Sequence, residues 1–317
     1  NIPYNLTSRE QKQDNIQIEF FVTLSLEKNS SLVKVDIELE NRAIEHRVRV
    51  LFRTGIESVE SIADQQFGTI RRPVYLFEVE NWRENGWNEK PRTIEPMQSF
   101  VSLANDHENV SIITDCVREY QITGEKFDTI ALTLFRSTPE MGKAELKDRP
   151  GRASGMANWE TPDANLLKNL KFNFAISIGK NEYSISKISN ISKEYLTPFY
   201  YYQAAEFKNV DIFFLMNKPE IQNVPFDFSM FSSENGNCVL STVKKAEKDD
   251  ALIIRVYNPD DKKPTDFDII YHDDIKNISL VKFDEETVMD NIDFSFTKNK
   301  IKINEVKTCQ ALSIRIE

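Results

Sequence analysis

The sequence predicts an all-β protein: a large antiparallel β super-sandwich followed by a small β-sandwich. Three observations predict it. Apolar and polar residues alternate with period two along most of the chain, and helical periodicity is nearly absent. Only 9 glycines and 12 prolines occur in 317 residues, so long strands are joined by turns rich in Asn, Asp and Glu.

Ile16 to Phe20 leads into Phe21-Val22-Thr23-Leu24-Ser25-Leu26 as a first strand. Leu32 to Glu40, LVKVDIELE, alternates almost perfectly and marks a half-buried strand. Arg47 to Phe52 follows at hairpin distance and is closed by Thr54-Gly55. Further strands are expected at Ile70–Val79, Ser99–Asn105, Val110–Thr114, Arg118–Thr123, Thr129–Phe135, Lys171–Ile178 and Val210–Met216. One helix is expected within Ser189–Ala205, limited by Pro198, and the run Phe199-Tyr200-Tyr201-Tyr202 reads as packing rather than ligand stacking.

Composition changes near Pro219–Pro225, which places a first domain over 1–222 and a second over 223–317. The second shows about seven short, regularly spaced strands: Cys238–Val243, Ala251–Tyr257, Phe267–Tyr271, Ile278–Phe283, Ile292–Phe296, Lys300–Ile303 and Ala311–Ile316.

The net charge of −10, with no Lys/Arg-rich block, argues against nucleic acid or an anionic membrane as partner. No stretch approaches the length of a membrane span. Cys116, Cys238 and Cys309 are odd in number and widely spaced, which reads as reduced thiols in a cytoplasmic protein or simply as small core residues. The amino terminus lacks methionine and a signal core, so the chain reads as a fragment. Asn5-Leu6-Thr7 and Asn277-Ile278-Ser279 match glycosylation acceptors, a short pattern that recurs by chance.

The stretch from Ala131 to Asp163 is the most informative. It opens as a buried strand and then runs about thirty residues without helix or strand period, a length that in a compact domain is usually functional. It carries Arg136, Arg149, Arg152 and Trp159, punctuated by glycines and prolines. Guanidinium forks and an indole suit a polyhydroxylated or anionic ligand. The alternative is a packed surface loop whose arginines pair with local acids.

Other chemistry is scarce. His46, His107 and His272 show no HxH, HxD or HExxH spacing, so no cofactor or metal site is expected in this chain. There is no GxSxG elbow and no phosphate loop, and no carboxylate pair is assigned a catalytic role. Trp82 and Trp87 flank a polar turn and offer an alternative sugar-stacking surface.

Several segments together resemble the carboxy-terminal β half of glycoside hydrolase family 38, the α-mannosidases. They are Glu45-His46-Arg47-Val48-Arg49-Val50-Leu51-Phe52-Arg53-Thr54-Gly55, Arg71-Arg72-Pro73, Pro96-Met97-Gln98-Ser99-Phe100-Val101 and Thr129 to Ser137. Asp148-Arg149-Pro150-Gly151-Arg152-Ala153-Ser154-Gly155 is similar to the RPGRPSG loop of bacterial members, especially those acting on mannosylglycerate, and Thr161-Pro162-Asp163-Ala164 to the turn after it. The resemblance spans about residues 1–215, with the small sandwich following.

The resemblance implies a severed part of a zinc-dependent retaining α-mannosidase. Zinc and the nucleophile would lie in a missing amino-terminal catalytic domain, the expected partner, and this chain alone would be inactive. Its own role would be to scaffold that domain and to line a cleft for a mannose-containing saccharide through Arg152, Arg149 and Trp159. The alternative is a stand-alone carbohydrate-binding or adhesion β-protein.

Overall fold

A computed structural model describes residues 1–144, 146–151, 158–180, 183–201 and 227–317. The chain separates into two compact units, Asn1–Ser192 and Lys193–Glu317. The expected boundary after residue 222, the strand expected at Val210–Met216, and Arg152 lie outside the described residues.

The first unit is a sandwich of two antiparallel sheets. The larger has seven strands among the described residues, in the spatial order Phe20–Leu26, Leu32–Glu40, Asn169–Lys180, Glu108–Thr114, Phe100–Ala104, Glu60–Gln65 and Gly68–Pro73. The smaller has four, in the order Arg47–Arg53, Thr129–Arg136, Arg118–Thr123 and Ile94–Met97. Alternation decides which face each residue takes. In Leu32–Glu40, Val35, Ile37 and Leu39 are buried while Asp36, Glu38 and Glu40 are exposed. Register then aligns like with like: Val35 opposes Phe174 and Ile37 opposes Phe172 inside, and Glu38 opposes Lys171 outside, ion-paired at 2.6 Å. The inner faces meet in one core, where Val101, Leu103, Ile112 and Phe174 cluster with Tyr120, Ile130 and Leu132.

Three elements depart from the sequence expectation, each for a local reason. The strand expected over Ile70–Val79 ends at Pro73, and Glu78–Asn81 forms a helical turn, because proline has no N–H for the ladder. The expected helix is Ile185–Leu196, ending before Pro198, whose ring disfavours helical backbone in the residue preceding it. Asn5, part of a glycosylation-like triplet, instead caps a short helix, Leu6–Gln11, by accepting the Ser8 N–H at 2.7 Å.

Glu60–Gln65 gave no strand signal because both its faces are covered. Its Ser61 hydroxyl lies 3.0 Å from Tyr120 Oη in the core. On the opposite face Ser99 donates to Asp64, Ser192 of the Ile185–Leu196 helix donates to Ser99 at 2.9 Å, and Tyr183 donates to Ser102 at 2.7 Å. The serine hydroxyls satisfy one another, so the buried layer is polar without an exposed-side alternation.

The second unit is also a two-sheet sandwich. One sheet orders Phe231–Ser232, Thr265–Tyr271, Lys300–Val306 and Phe294–Phe296; the other orders Val239–Lys245, Leu252–Tyr257, Ala311–Ile316 and Ile278–Val281. Ile254, Leu312 and Ile314 pack with Phe267, Ile269 and Ile301 between them. All seven strands expected here are present within a few residues of their expected ends, with Phe231–Ser232 added. No helix among the described residues is long and apolar enough to cross a membrane.

Candidate functional site

Arginines meet at one end of the four-stranded sheet. Arg47 opposes Arg136 across the ladder, and Arg49 opposes Thr133, with a register shift between Thr133 and Phe135. Leu134 is the extra residue. Without the bulge, strict alternation through these same residues would turn Phe135 outward and Arg136 inward. With it, Leu134 and Phe135 both enter the core and Arg136 stands on the outer face beside Arg47. The Leu134 carbonyl, displaced from the ladder, accepts Arg118 Nη1 at 2.8 Å.

Glu119 on the adjacent strand gathers these cations. Arg136 donates from Nε and Nη2 at 2.8 and 2.9 Å, and Arg47 Nη1 stands 3.7 Å away. Burial alone would raise the Glu119 pKa, but the Arg136 and Thr133 hydrogen bonds and the charges of Arg136 and Arg47 hold it below the usual carboxylate range. Arg49 is held by a neutral partner, Gln121, at 2.9 Å. Burial, together with Arg49 and Arg136, pushes Arg47 below the ordinary guanidinium value.

The Arg136–Asp163 stretch, aperiodic in sequence, is pinned by backbone hydrogen bonds. Thr138 N donates to Ala164 O at 3.1 Å, Thr161 N to Pro139 O at 2.7 Å, Met141 N to Trp159 O at 2.8 Å and Asn158 N to Gly142 O at 3.2 Å. Glu140 and Glu160 bridge antiparallel between them. The Lys147–Asp148 tip is docked by three contacts: Arg83 to the Lys147 carbonyl at 3.2 Å, Lys90 N to the Asp148 carbonyl at 2.8 Å, and Arg92 to the Asp148 carboxylate at 3.2 Å.

Between this arm and the sheet lies a cleft of about 400 Å³. Leu6 and Arg9 of the short helix form one wall, Glu45, His46 and Arg47 the floor, and Arg136 to Lys143 with Leu146 and Arg149 the other wall. Glu45, with φ of 54° in the left-handed region, ties two walls together. Its carboxylate accepts the Leu6 N–H at 3.2 Å and Lys143 Nζ at 3.1 Å. His46 packs edge-on against Phe135 at 5.4 Å. Neither of its ring nitrogens meets a partner with hydrogen-bond geometry among the described residues. Burial lowers its pKa, with a weaker opposing influence from the Ile44 backbone and a further lowering from Arg9.

Of the expected saccharide contacts, Arg149 lines the cleft. Trp159 is 54% exposed and meets the cleft only through its carbonyl, which holds Met141; it is not among the lining residues. Sequence reasoning missed Arg9, Arg47 and Lys143, whose convergence depends on the bulge and on the Glu45 link. Trp82 is only 7% exposed and lies under Arg83 at 5.0 Å, so it offers no free stacking face beside the exposed Trp87. Among the described residues, no cluster of three or more His, Cys, Asp or Glu side chains is placed to hold a metal ion.

The fold and sequence match known proteins. Over 249 residues the chain is 24% identical to a protein named "Putative mannosylglycerate hydrolase" from Halalkalibacterium halodurans, covering 78% of this chain and 24% of that protein. The solved alpha-mannosidase of Enterococcus faecalis V583 superposes with a TM-score of 0.72 at 18% identity, covering 95% of this chain and 29% of that one. A second Enterococcus faecalis structure, described as a protein in the glycosyl hydrolase family 38, gives 0.70 at 17% identity, covering 95% and 30%. The chain thus spans about a quarter of the curated relative and under a third of the solved chains. Residues 7–140 match the C-terminal domain of glycosyl hydrolases family 38, and residues 237–309 match the C-terminal beta sandwich domain of the same family. The chain is therefore built from the C-terminal domains of glycosyl hydrolase family 38.

Proposed function

We propose that this chain is the non-catalytic β portion of an α-mannosidase-type glycoside hydrolase, scaffolding a catalytic domain and lending one wall to its sugar cleft. The observation that carries this reading is the charge of the cleft. Arg9, Arg47, Arg136, Lys143 and Arg149 face Glu45 and Glu140, in a chain whose net charge is −10. Glu119 and Glu45 are set against Arg136 and Lys143, while Arg9 has no carboxylate partner among the described residues. Such a surface suits a saccharide bearing a carboxylate or phosphate, and guanidinium groups bind both with two parallel hydrogen bonds.

In this reading the chain binds and orients. Arg149, and with it Arg152 of the same arm, contacts the saccharide, while the docked tip holds the arm still, so little ordering entropy is lost on binding. Zinc, which in such an enzyme supplies Lewis-acid chemistry, and the nucleophile belong to polypeptide outside this chain. The intact enzyme hydrolyses α-mannosides, free oligosaccharides or (phospho)mannosylglycerate. The chain alone turns over nothing.

The test assays the complete gene product with zinc on p-nitrophenyl-α-mannoside and on mannosylglycerate. Arg149→Ala and Arg152→Ala are expected to lower kcat/KM about tenfold to a hundredfold, the cost of a lost charge-assisted contact. Unchanged kinetics in both variants would remove the cleft role, and turnover by the isolated chain would remove the scaffold role.

A further inference from the structure

The outer face of the four-stranded sheet carries positive charge that continues beyond the cleft. Val48, Val50 and Phe52 pack against the core, so Arg47, Arg49, Leu51 and Arg53 stand outward along the same strand. Register sets Arg47 beside Arg136, Arg49 beside Thr133 and Arg53 beside Thr129. Glu119 is the one carboxylate at the strand positions of this face, and Arg136 and Arg47 already engage it. Among the described residues, Arg49 bonds the neutral Gln121, and the exposed Arg53 meets no carboxylate.

Same-face positions on a strand recur at about 7 Å, so Arg49 lies one step from Arg47 and Arg53 two steps further. A row of that length matches a chain of repeated anionic groups, whereas a single anion needs only the cleft. Leu51, 54% exposed between Arg49 and Arg53, offers hydrocarbon to the C–H face of a sugar ring. No aromatic side chain stands at the strand positions of this face, so it has no platform for stacking nucleobases.

We propose that Arg47, Arg49 and Arg53 form a track for an acidic glycan, a saccharide chain bearing carboxylates or phosphates on several of its residues, which runs out of the cleft along this strand. The proposal rests on the sugar-cleft reading and names the class of saccharide that extends beyond it. Charge complementarity selects this occupant. The chain's net charge of −10 repels a polyanion over most of its surface, which confines such a ligand to the row where arginines outnumber carboxylates. Guanidinium groups bind both anions through paired hydrogen bonds.

The test titrates this chain with polygalacturonate, phosphorylated dextran, neutral mannan and polyuridylate. One or both acidic glycans are expected to bind more tightly than mannan, with affinity falling as salt rises, and the preferred one identifies the anion. Arg49→Gln and Arg53→Gln are each expected to weaken that binding about fivefold. Lys171→Gln, on the outside of the larger sheet, should leave it unchanged. Arg53→Lys should keep most of it, and this variant decides the matter should the glutamine form fail to fold. Equal binding of acidic glycans and mannan would overturn the proposal, as would tighter binding of polyuridylate. So would arginine variants that lower the Tm of the complete gene product without weakening glycan binding, since the row would then serve a polypeptide contact. Arg149→Ala kinetics report on the cleft separately: no effect there, with acidic glycans still bound through Arg53, would remove the cleft role and leave the track.

Discussion

Arg136 and Glu119 are joined by two parallel hydrogen bonds, Nε to Oε1 at 2.8 Å and Nη2 to Oε2 at 2.9 Å, across neighbouring strands. The same Oε1 lies 3.7 Å from Arg47 Nη1, so one carboxylate stands between two guanidinium groups. Removing it would leave like charges side by side on one face.

Glu119→Gln is accordingly expected to cost about 1 kcal/mol at neutral pH, a modest figure because both partners reach solvent. The Glu119 pKa lies below its unfolded value, so its contribution is present above the unfolded carboxylate pKa and is lost as pH falls through the folded one. Urea titrations at pH 7 and at pH 3 test this, and the difference between wild type and variant should shrink at the lower pH.

His46 gives a pH dependence in a higher window. Its folded pKa is lowered by burial, so the unfolded chain binds its proton first. Stability is therefore full above the ordinary imidazole value, about 6.5, and falls as pH drops below it toward the folded pKa. Melting curves between pH 8 and 5 should show this loss, and His46→Phe should flatten that part of the profile.

Glu45 links the short amino-terminal helix to Lys143 on the arm. Glu45→Ala is expected to cost about 1 to 2 kcal/mol and to speed hydrogen exchange in Leu6–Gln11 before the sheets respond. Uniform loss of protection across both sheets would contradict a local tie.

In the second unit, buried Asp268 accepts from Ser233 Oγ and the Glu234 N–H at 3.1 Å each, from the Asn235 N–H at 3.3 Å, and pairs with Lys300 at 3.3 Å. Asp268→Ala strands those donors and is expected to cost about 2 to 3 kcal/mol. A chemical-denaturation midpoint equal to wild type would show that solvent replaces the carboxylate there.

Much of the fold was legible because alternation is a direct consequence of one buried face. Leu32–Glu40 and Ala311–Ile316 announce their own sidedness, and the structure keeps it. Glu60–Gln65 stayed hidden since its outer face is buried by serine hydroxyls rather than apolar groups, which leaves no periodicity to read. At the site, Arg149 could be singled out from the arm's composition. Arg47 and Arg9 could not, because their approach is set by register and by a side-chain tie between segments far apart in sequence.

The single surplus residue at Leu134 has an implication for related chains. Deleting it would restore strict alternation and still leave Phe135 inward and Arg136 on the outer face, since Thr133, Phe135 and Arg136 already oppose Arg49, Val48 and Arg47 in sequence. A homologue one residue shorter at this point can therefore keep the positively charged rim on a regular strand, and gives up only the Leu134 side chain in the core and the carbonyl that holds Arg118.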